Sequence, residues 1–290
     1  MCRFVAYMGR PLLINDVISK PKDSLIRQSL QAMETDVKLN GDGFGIGWYV
    51  PEITSVPAVF VSALPAWNDM NLKNLSHQIK SSCFFAHVRA AEEGTVTQVN
   101  CHPFHYDKYL MMHNGGIGGY KKIKLAILNR LHPDYFAHIK GQTDSEVLFM
   151  LWLTCYHELP ASANRMLEAW ELVFNILAEL QDQMGIKDTT YINSVISDGD
   201  QMVAVRYVRN ASECLTMHYA AGSEFIYLNH GQCRMMPKIE GSHDINQQAV
   251  LVASEKLTGN TEEWLDVPAQ HFLVVDHYRR VSLVGIKNIK

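Results

Sequence analysis

Side chains alternate between two faces over residues 2–8, which predicts a strand with Cys2, Phe4, Ala6 and Met8 on one face. Further strands are predicted at SCFFAHVR (82–89) and YLMMH (109–113), and at TYINSVIS (190–197) followed by MVAVRYV (202–208). Asp198-Gly199 between the last two is a two-residue hairpin signal. More strands are expected near residues 216–228, 249–253 and 271–284.

Between these groups the period changes. Thr143 and Glu146 have the spacing of a capping box and open a strongly apolar segment that runs through Leu153. A helix apolar all round is expected to be buried. The next segment carries Leu167, Trp170, Phe174, Leu177 and Leu180 at three- and four-residue spacing, with Gly185 as a stop. This second helix is amphipathic. Strands, then helices, then strands, without regular alternation, predict an α+β layered domain rather than a parallel βαβ fold. No repeat or linker interrupts the chain, so one domain over residues 2–290 is expected.

Composition narrows the function classes. The 290 residues are 47% hydrophobic and 19% charged, enough for a substantial core. A net charge of −4 with no basic run argues against nucleic acid and acidic membranes as partners. Arg3 and Arg10 bracket too short an apolar stretch for a signal peptide, and no apolar run approaches the roughly 20 residues of a membrane span. Six cysteines without a CxxC pair suggest reduced thiols and a cytoplasmic protein.

Cys2 becomes chemically interesting if Met1 is removed, because one residue then carries a thiol and a free α-amine. Such an amine has a reference pKa of about 7.7–8.0 and can take the thiol proton without a histidine. Alone, a cysteine here is more often a small buried hydrophobe. HNGG (113–116) follows a strand, so the Asn114 side-chain amide and the Gly115 N–H are candidate donors to a developing oxyanion; the plain alternative is an Asn-Gly turn. Arg89 at a strand end and Asp144 at a helix start offer a cation and an anion that could hold the charged ends of an amino acid. Taken singly, they are ordinary surface and helix-dipole residues.

The ordered set weighs more than its members. MCRFVAYMG, NGDGFGIGWY (40–49), PAWND (65–69), AHVRAAEEG (86–94), NCHPF (100–104), HNGGIGGY (113–120), TDSE (143–146), SDGDQMVAVRY (197–207) and ASEKLTG (253–259) occur in that order. The chain resembles, almost end to end, the class II glutamine amidotransferases, especially the branch with the ergothioneine-pathway γ-glutamyl hydrolase and the fungal glutathione-degradation subunit. The resemblance implies a four-layer αββα sandwich of the N-terminal-nucleophile hydrolase type. It further implies that Cys2 attacks the δ-carbonyl of glutamine or a γ-glutamyl compound, that Asn114 and Gly115 form the oxyanion hole, and that Arg89 and Asp144 bind the α-carboxylate and α-amine. A thioester intermediate, no cofactor and a separate peptidase or synthetase partner are the corresponding expectations.

Glu92, Glu93 and Lys256 depart from the family pattern, so the pocket rim is expected to differ. His87 and His102 lie in matching motifs but receive no catalytic role. Three rival readings remain: a metal site drawn from His87, His102, His105 and His113; a hydrolase using Cys101 or Cys83; and a non-catalytic subunit that binds a γ-glutamyl metabolite. Asp42 among its glycines fits neither phosphate-loop pattern, and points instead to close backbone approach near the site.

Overall fold

Strand β1 (Arg3–Leu13) is buried on both faces along its first half, and this double burial sets the architecture. Phe4, Ala6 and Met8 enter one apolar cluster, and Val5 and Tyr7 another. The computed structural model describes residues 2–91, 94–239, 244–245 and 248–287. The removal of Met1 and the departures at Glu92 and Glu93 therefore lie outside the described residues.

Two antiparallel sheets form the centre. The seven-stranded one joins β1, β2 (Phe44–Val50), β3 (Thr54–Ser62), β4 (Lys80–Val88), β9 (His218–Gly222), β12 (Ala249–Ala253) and β13 (Leu265–Asp266) in the order β13-β9-β12-β1-β4-β2-β3. The six-stranded one joins β5 (Phe104–Tyr106), β6 (Tyr109–Gly116), β7 (Thr190–Ser197), β8 (Met202–Arg209), β14 (His271–Val275) and β15 (Val281–Gly285) in the order β15-β14-β8-β7-β6-β5. A separate hairpin pairs β10 (Phe225–Asn229) with β11 (Gln232–Met235).

Three apolar clusters separate four layers. Phe4, Met8 and Phe85 from the larger sheet meet Leu110, Met112 and Leu273 from the smaller, forming the core between the sheets. The outer face of the larger sheet, with Val5, Phe84 and Ile46, packs against α1 (Asn15–Ile18), α2 (Leu25–Leu30) and α3 (Met70–Ser76). The outer face of the smaller sheet, with Met111, Ile192 and Val205, packs against α4 (Tyr120–Leu128), α6 (Asp144–Glu158) and α7 (Arg165–Gln183); α5 (Pro133–Phe136) lies beside α6. This is the expected αββα sandwich. Among the described residues no helix is long and apolar enough to cross a membrane.

Helix α6 is buried continuously from Asp144 through Cys155, so packing rather than an amphipathic stripe determines it. Its capping box is only half formed. Thr143 Oγ1 accepts the Glu146 N–H at 3.2 Å, but the Glu146 carboxylate turns to the preceding loop and accepts the N–H groups of Lys140 (2.9 Å) and Gly141 (2.7 Å). The five periodic residues of α7 are all buried, and Gly185, with φ +63°, follows its end.

One local expectation is corrected. The β7–β8 hairpin has its first paired residues at Ser197 and Met202, leaving residues 198–201 as a loop longer than a two-residue turn. Asp198 Oδ1 accepts the N–H groups of Asp200 and Gln201, an Asx-turn that closes the longer loop. The strands expected near 216–228 are present as β9 and β10, which belong to different sheets.

Candidate active site

The pairing of β1 with β4 places Cys2. Arg3 lies opposite Val88, so the chain on either side of this last rung brings Cys2 beside Ala90. The Cys2 thiol donates to the Ala90 carbonyl at 3.4 Å, and the Ala90 N–H donates to Cys2 Sγ at 3.4 Å. Cys2 is half-buried, held against Ala90 on one side.

Arg89 sits one residue back, almost fully buried. Its N–H donates to Gly43 O (2.8 Å), its carbonyl accepts the Asp42 N–H (2.9 Å), and Nη1 donates to Thr95 O (3.1 Å). Asp42 Oδ2 accepts the Ala91 N–H at 2.8 Å. The Gly-rich segment thus holds the Arg89 loop, and a Cβ on Gly43 would stand 2.5 Å from Cys101 Sγ. Close approach is the reason for this glycine.

Asn114 and Gly115 are strand residues, not a turn: β6 continues through Gly116, pairing Asn114 with Asn193 and Gly115 with Ile192 on β7. Gly115 has φ +147°, and a Cβ there would collide with the Tyr191 carbonyl. The Asn114 side chain is 1% exposed, and neither of its amide atoms has a hydrogen-bond partner among the described residues. Such a buried amide costs roughly 1–3 kcal/mol unless something bonds to it. Asp144 opens α6, where Oδ2 accepts the Ile117 N–H at 2.9 Å and Oδ1 accepts the Ser145 hydroxyl at 3.3 Å.

All five expected residues line one cavity of about 60 Å³, together with Ala90, His102, His113, Gly116, Thr143 and Ser145. A second cleft, of about 510 Å³, shares Gly115, Gly116 and Asp144 with it and continues along Tyr120, Lys121, Lys122 and Tyr191. Ala90 and Ser145 do not stand out in the sequence as lining residues: Ala90 acts through its main chain, and the Ser145 hydroxyl gains its role only from the fold, beside Asp144 and His113. For Ala90, adjacency to Arg89 was the usable clue.

The histidines divide. His113 Nδ1 is 2.9 Å from Ser145 Oγ and Nε2 is 3.2 Å from Tyr191 O, an ordinary satisfied position. The His87 and His102 rings are tilted 36° to each other with centroids 4.2 Å apart. Burial pulls the His87 pKa down to about 3, and burial with the neighbouring His87, His113 and Arg89 charges pulls His102 well below its usual value. His105 is exposed on β5, and among the described residues no group of three or more His, Cys, Asp or Glu could hold a metal ion. The two rival cysteines are poorly placed for nucleophilic chemistry. Burial pushes the Cys83 thiol up to about 12 and the Cys101 thiol up to about 11, and neither lines the cavity.

Comparison with known proteins gives the family and the fold. Residues 19–287 match the family model for class II glutamine amidotransferases. The Saccharomyces cerevisiae protein named probable glutamine amidotransferase DUG3 is 32% identical over 95% of this chain and 82% of its own. A γ-glutamyl-hercynylcysteine sulfoxide hydrolase of Mycolicibacterium smegmatis is 32% identical over 40% of this chain and 51% of its own. The solved structure of a class II glutamine aminotransferase domain protein from Silicibacter pomeroyi superimposes with a TM-score of 0.66 at 22% identity, covering 99% of this chain and 100% of that one. It shares the fold. Matched by the family model over most of its length and by a relative over nearly all of it, this chain belongs to the class II glutamine amidotransferases.

Proposed function

We propose that the protein hydrolyses the side-chain amide of glutamine or of a γ-glutamyl compound, with Cys2 as nucleophile. With Met1 removed, the Cys2 α-amine takes the thiol proton and Sγ attacks the δ-carbonyl. The Asn114 amide and the Gly115 N–H stabilise the resulting oxyanion, and Arg89 and Asp144 grip the α-carboxylate and α-amine so that the scissile amide faces the thiol. Ammonia or an amine leaves, and water releases glutamate from the γ-glutamyl thioester.

One observation carries this reading: the cavity that receives Cys2 is also lined by Arg89, Asn114, Gly115 and Asp144. The unpartnered Asn114 amide supports it, since a buried polar group without a protein partner is suited to meet a charge that develops only during reaction. The adjoining cleft offers room for a leaving group larger than ammonia. We further read residues 2–290 as one domain, acting in the cytoplasm with a separate peptidase or synthetase; the near full-length likeness to DUG3 supports the domain reading.

Intact-mass analysis before and after exposure to 6-diazo-5-oxo-L-norleucine, with peptide mapping, tests the mechanism. An adduct on Cys2 in chains lacking Met1 is expected. A free Cys2 that stays unlabelled removes the nucleophile assignment and leaves a binding subunit.

A further inference from the structure

Ser145 shares the cavity wall with Asp144 and His113, and its hydroxyl stands between them. Oγ is 3.3 Å from Asp144 Oδ1 and 2.9 Å from His113 Nδ1. The hydroxyl has one hydrogen for these two neighbours, so only one of them receives it at a time. The state of the His113 ring sets what the second can do. His113 Nε2 lies 3.2 Å from the Tyr191 carbonyl oxygen, which can only accept, so Nε2 carries a hydrogen. Burial lowers the His113 pKa against the pull of the Asp144 charge, and the ring is neutral at neutral pH. A neutral ring with its hydrogen on Nε2 leaves Nδ1 as an acceptor for Ser145.

The α-ammonium of a γ-glutamyl group brings three N–H donors and calls for several acceptors. Asp144 Oδ2 already accepts the Ile117 N–H, which leaves Oδ1, the oxygen beside Ser145, for the ammonium. A nitrogen within about 3 Å of Oδ1 can also reach Ser145 Oγ, because the two oxygens are only 3.3 Å apart. Once the ammonium donates to Oδ1, the Ser145 hydrogen turns to His113 Nδ1 and the Oγ lone pairs serve the ammonium. We propose that Ser145 Oγ is a second acceptor for the substrate's α-ammonium, and that His113 is the positioning residue that frees it by accepting its hydrogen bond. The inference rests on Asp144 binding that α-amine. It makes the site selective for γ-glutamyl compounds whose α-amine is free and charged, since an acylated or missing amine leaves Oδ1 and Oγ unmatched.

The test uses two chromogenic probes, γ-glutamyl-p-nitroanilide and glutaryl-p-nitroanilide, which differ only in the α-ammonium, with processed enzyme. Within one preparation the ratio of their kcat/KM values does not depend on how much of a variant is folded. The wild type is expected to prefer the γ-glutamyl probe. Ser145→Ala is expected to lower that preference about tenfold, through a higher KM for the γ-glutamyl probe with its kcat kept within about threefold. The glutaryl probe is expected to be nearly unaffected. His113→Leu is expected to lower the preference in the same way, and His113→Asn, whose side-chain oxygen can replace Nδ1 as acceptor, to restore most of it. An equal loss on both probes in Ser145→Ala overturns the proposal, as does an unchanged preference. A wild-type preference in His113→Leu overturns the positioning role. Failure of the underlying reading looks different: a wild type that labels at Cys2 but does not distinguish the probes removes the α-amine seat at Asp144 and this inference with it, whereas turnover by Cys2→Ala removes the nucleophile assignment.

Discussion

Arg3 Nε lies 3.2 Å from Glu255 Oε1, and the two side chains are only 2% and 5% exposed, directly behind the residue assigned as nucleophile. The Glu255 carboxylate also accepts the N–H groups of Met33 and Glu34, tying the loop after α2 to the start of β1. Burial lowers the Arg3 pKa while Glu255 opposes that shift, so the carboxylate is what keeps the guanidinium tolerable there. Removing one partner of a buried pair costs about 3–5 kcal/mol, since the other charge stays desolvated. Glu255→Gln is therefore expected to destabilise the fold by about that amount in denaturant unfolding, whereas Arg3→Met with Glu255→Gln loses less. A single substitution costing under about 1 kcal/mol would show that this pair does not anchor the strand.

Cys2→Ala is expected to abolish amide hydrolysis. Its half-buried side chain makes the two weak 3.4 Å contacts with Ala90, so the melting temperature should move by no more than a degree or two, on the order of 0.5 kcal/mol. Turnover assay and thermal melt on one preparation separate the two effects. Full activity in this variant would sink the mechanism, and the high thiol pKa values of Cys83 and Cys101 leave them poor substitutes.

Asn114→Ala tests the oxyanion assignment. Loss of one such donor lowers kcat by about 100-fold or more, with KM little changed. Stability is expected to hold or rise slightly, because both amide atoms lack partners in the folded protein. A large fall in stability with unchanged kcat would make Asn114 a structural residue.

The elements legible in the sequence were those whose period comes from one dominant packing face or from burial all round. α7 showed its stripe, α6 its unbroken apolar run, and β1 its alternation, although burial on both faces makes that alternation a division between two cores. β2 was not legible as a strand, because Gly45 and Gly47 conceal its pattern. Each takes the place of a side chain that would strike a neighbour, Gly45 the His102 carbonyl and Gly47 Leu110 and Pro103. Those contacts are long-range, so no local rule exposes them. The same holds for the site. Local motifs suggested Cys2, Arg89, Asn114, Gly115 and Asp144, but only the β1–β4 register and the opening of α6 beside β6 put them around one cavity. His102 shows the limit most clearly: lacking partners is a property of its surroundings, and the residue type carries no trace of it.

Acid stability follows from the same buried rings. The His87 pKa falls to about 3 in the folded protein because burial disfavours its charged form, whereas an exposed histidine in the unfolded chain titrates near 6.5. Between those values the unfolded state binds the extra proton, so stability is complete above about pH 6.5 and is lost as pH falls toward 3. Each such histidine contributes a slope of up to about 1.4 kcal/mol per pH unit, and His102, lowered in the same direction, adds a second. Urea unfolding across pH 7 to 4 is expected to show this loss, and His87→Gln is expected to flatten it by about one proton's worth. An identical pH slope in that variant would mean that His87 is charged, or titrates normally, in the folded protein.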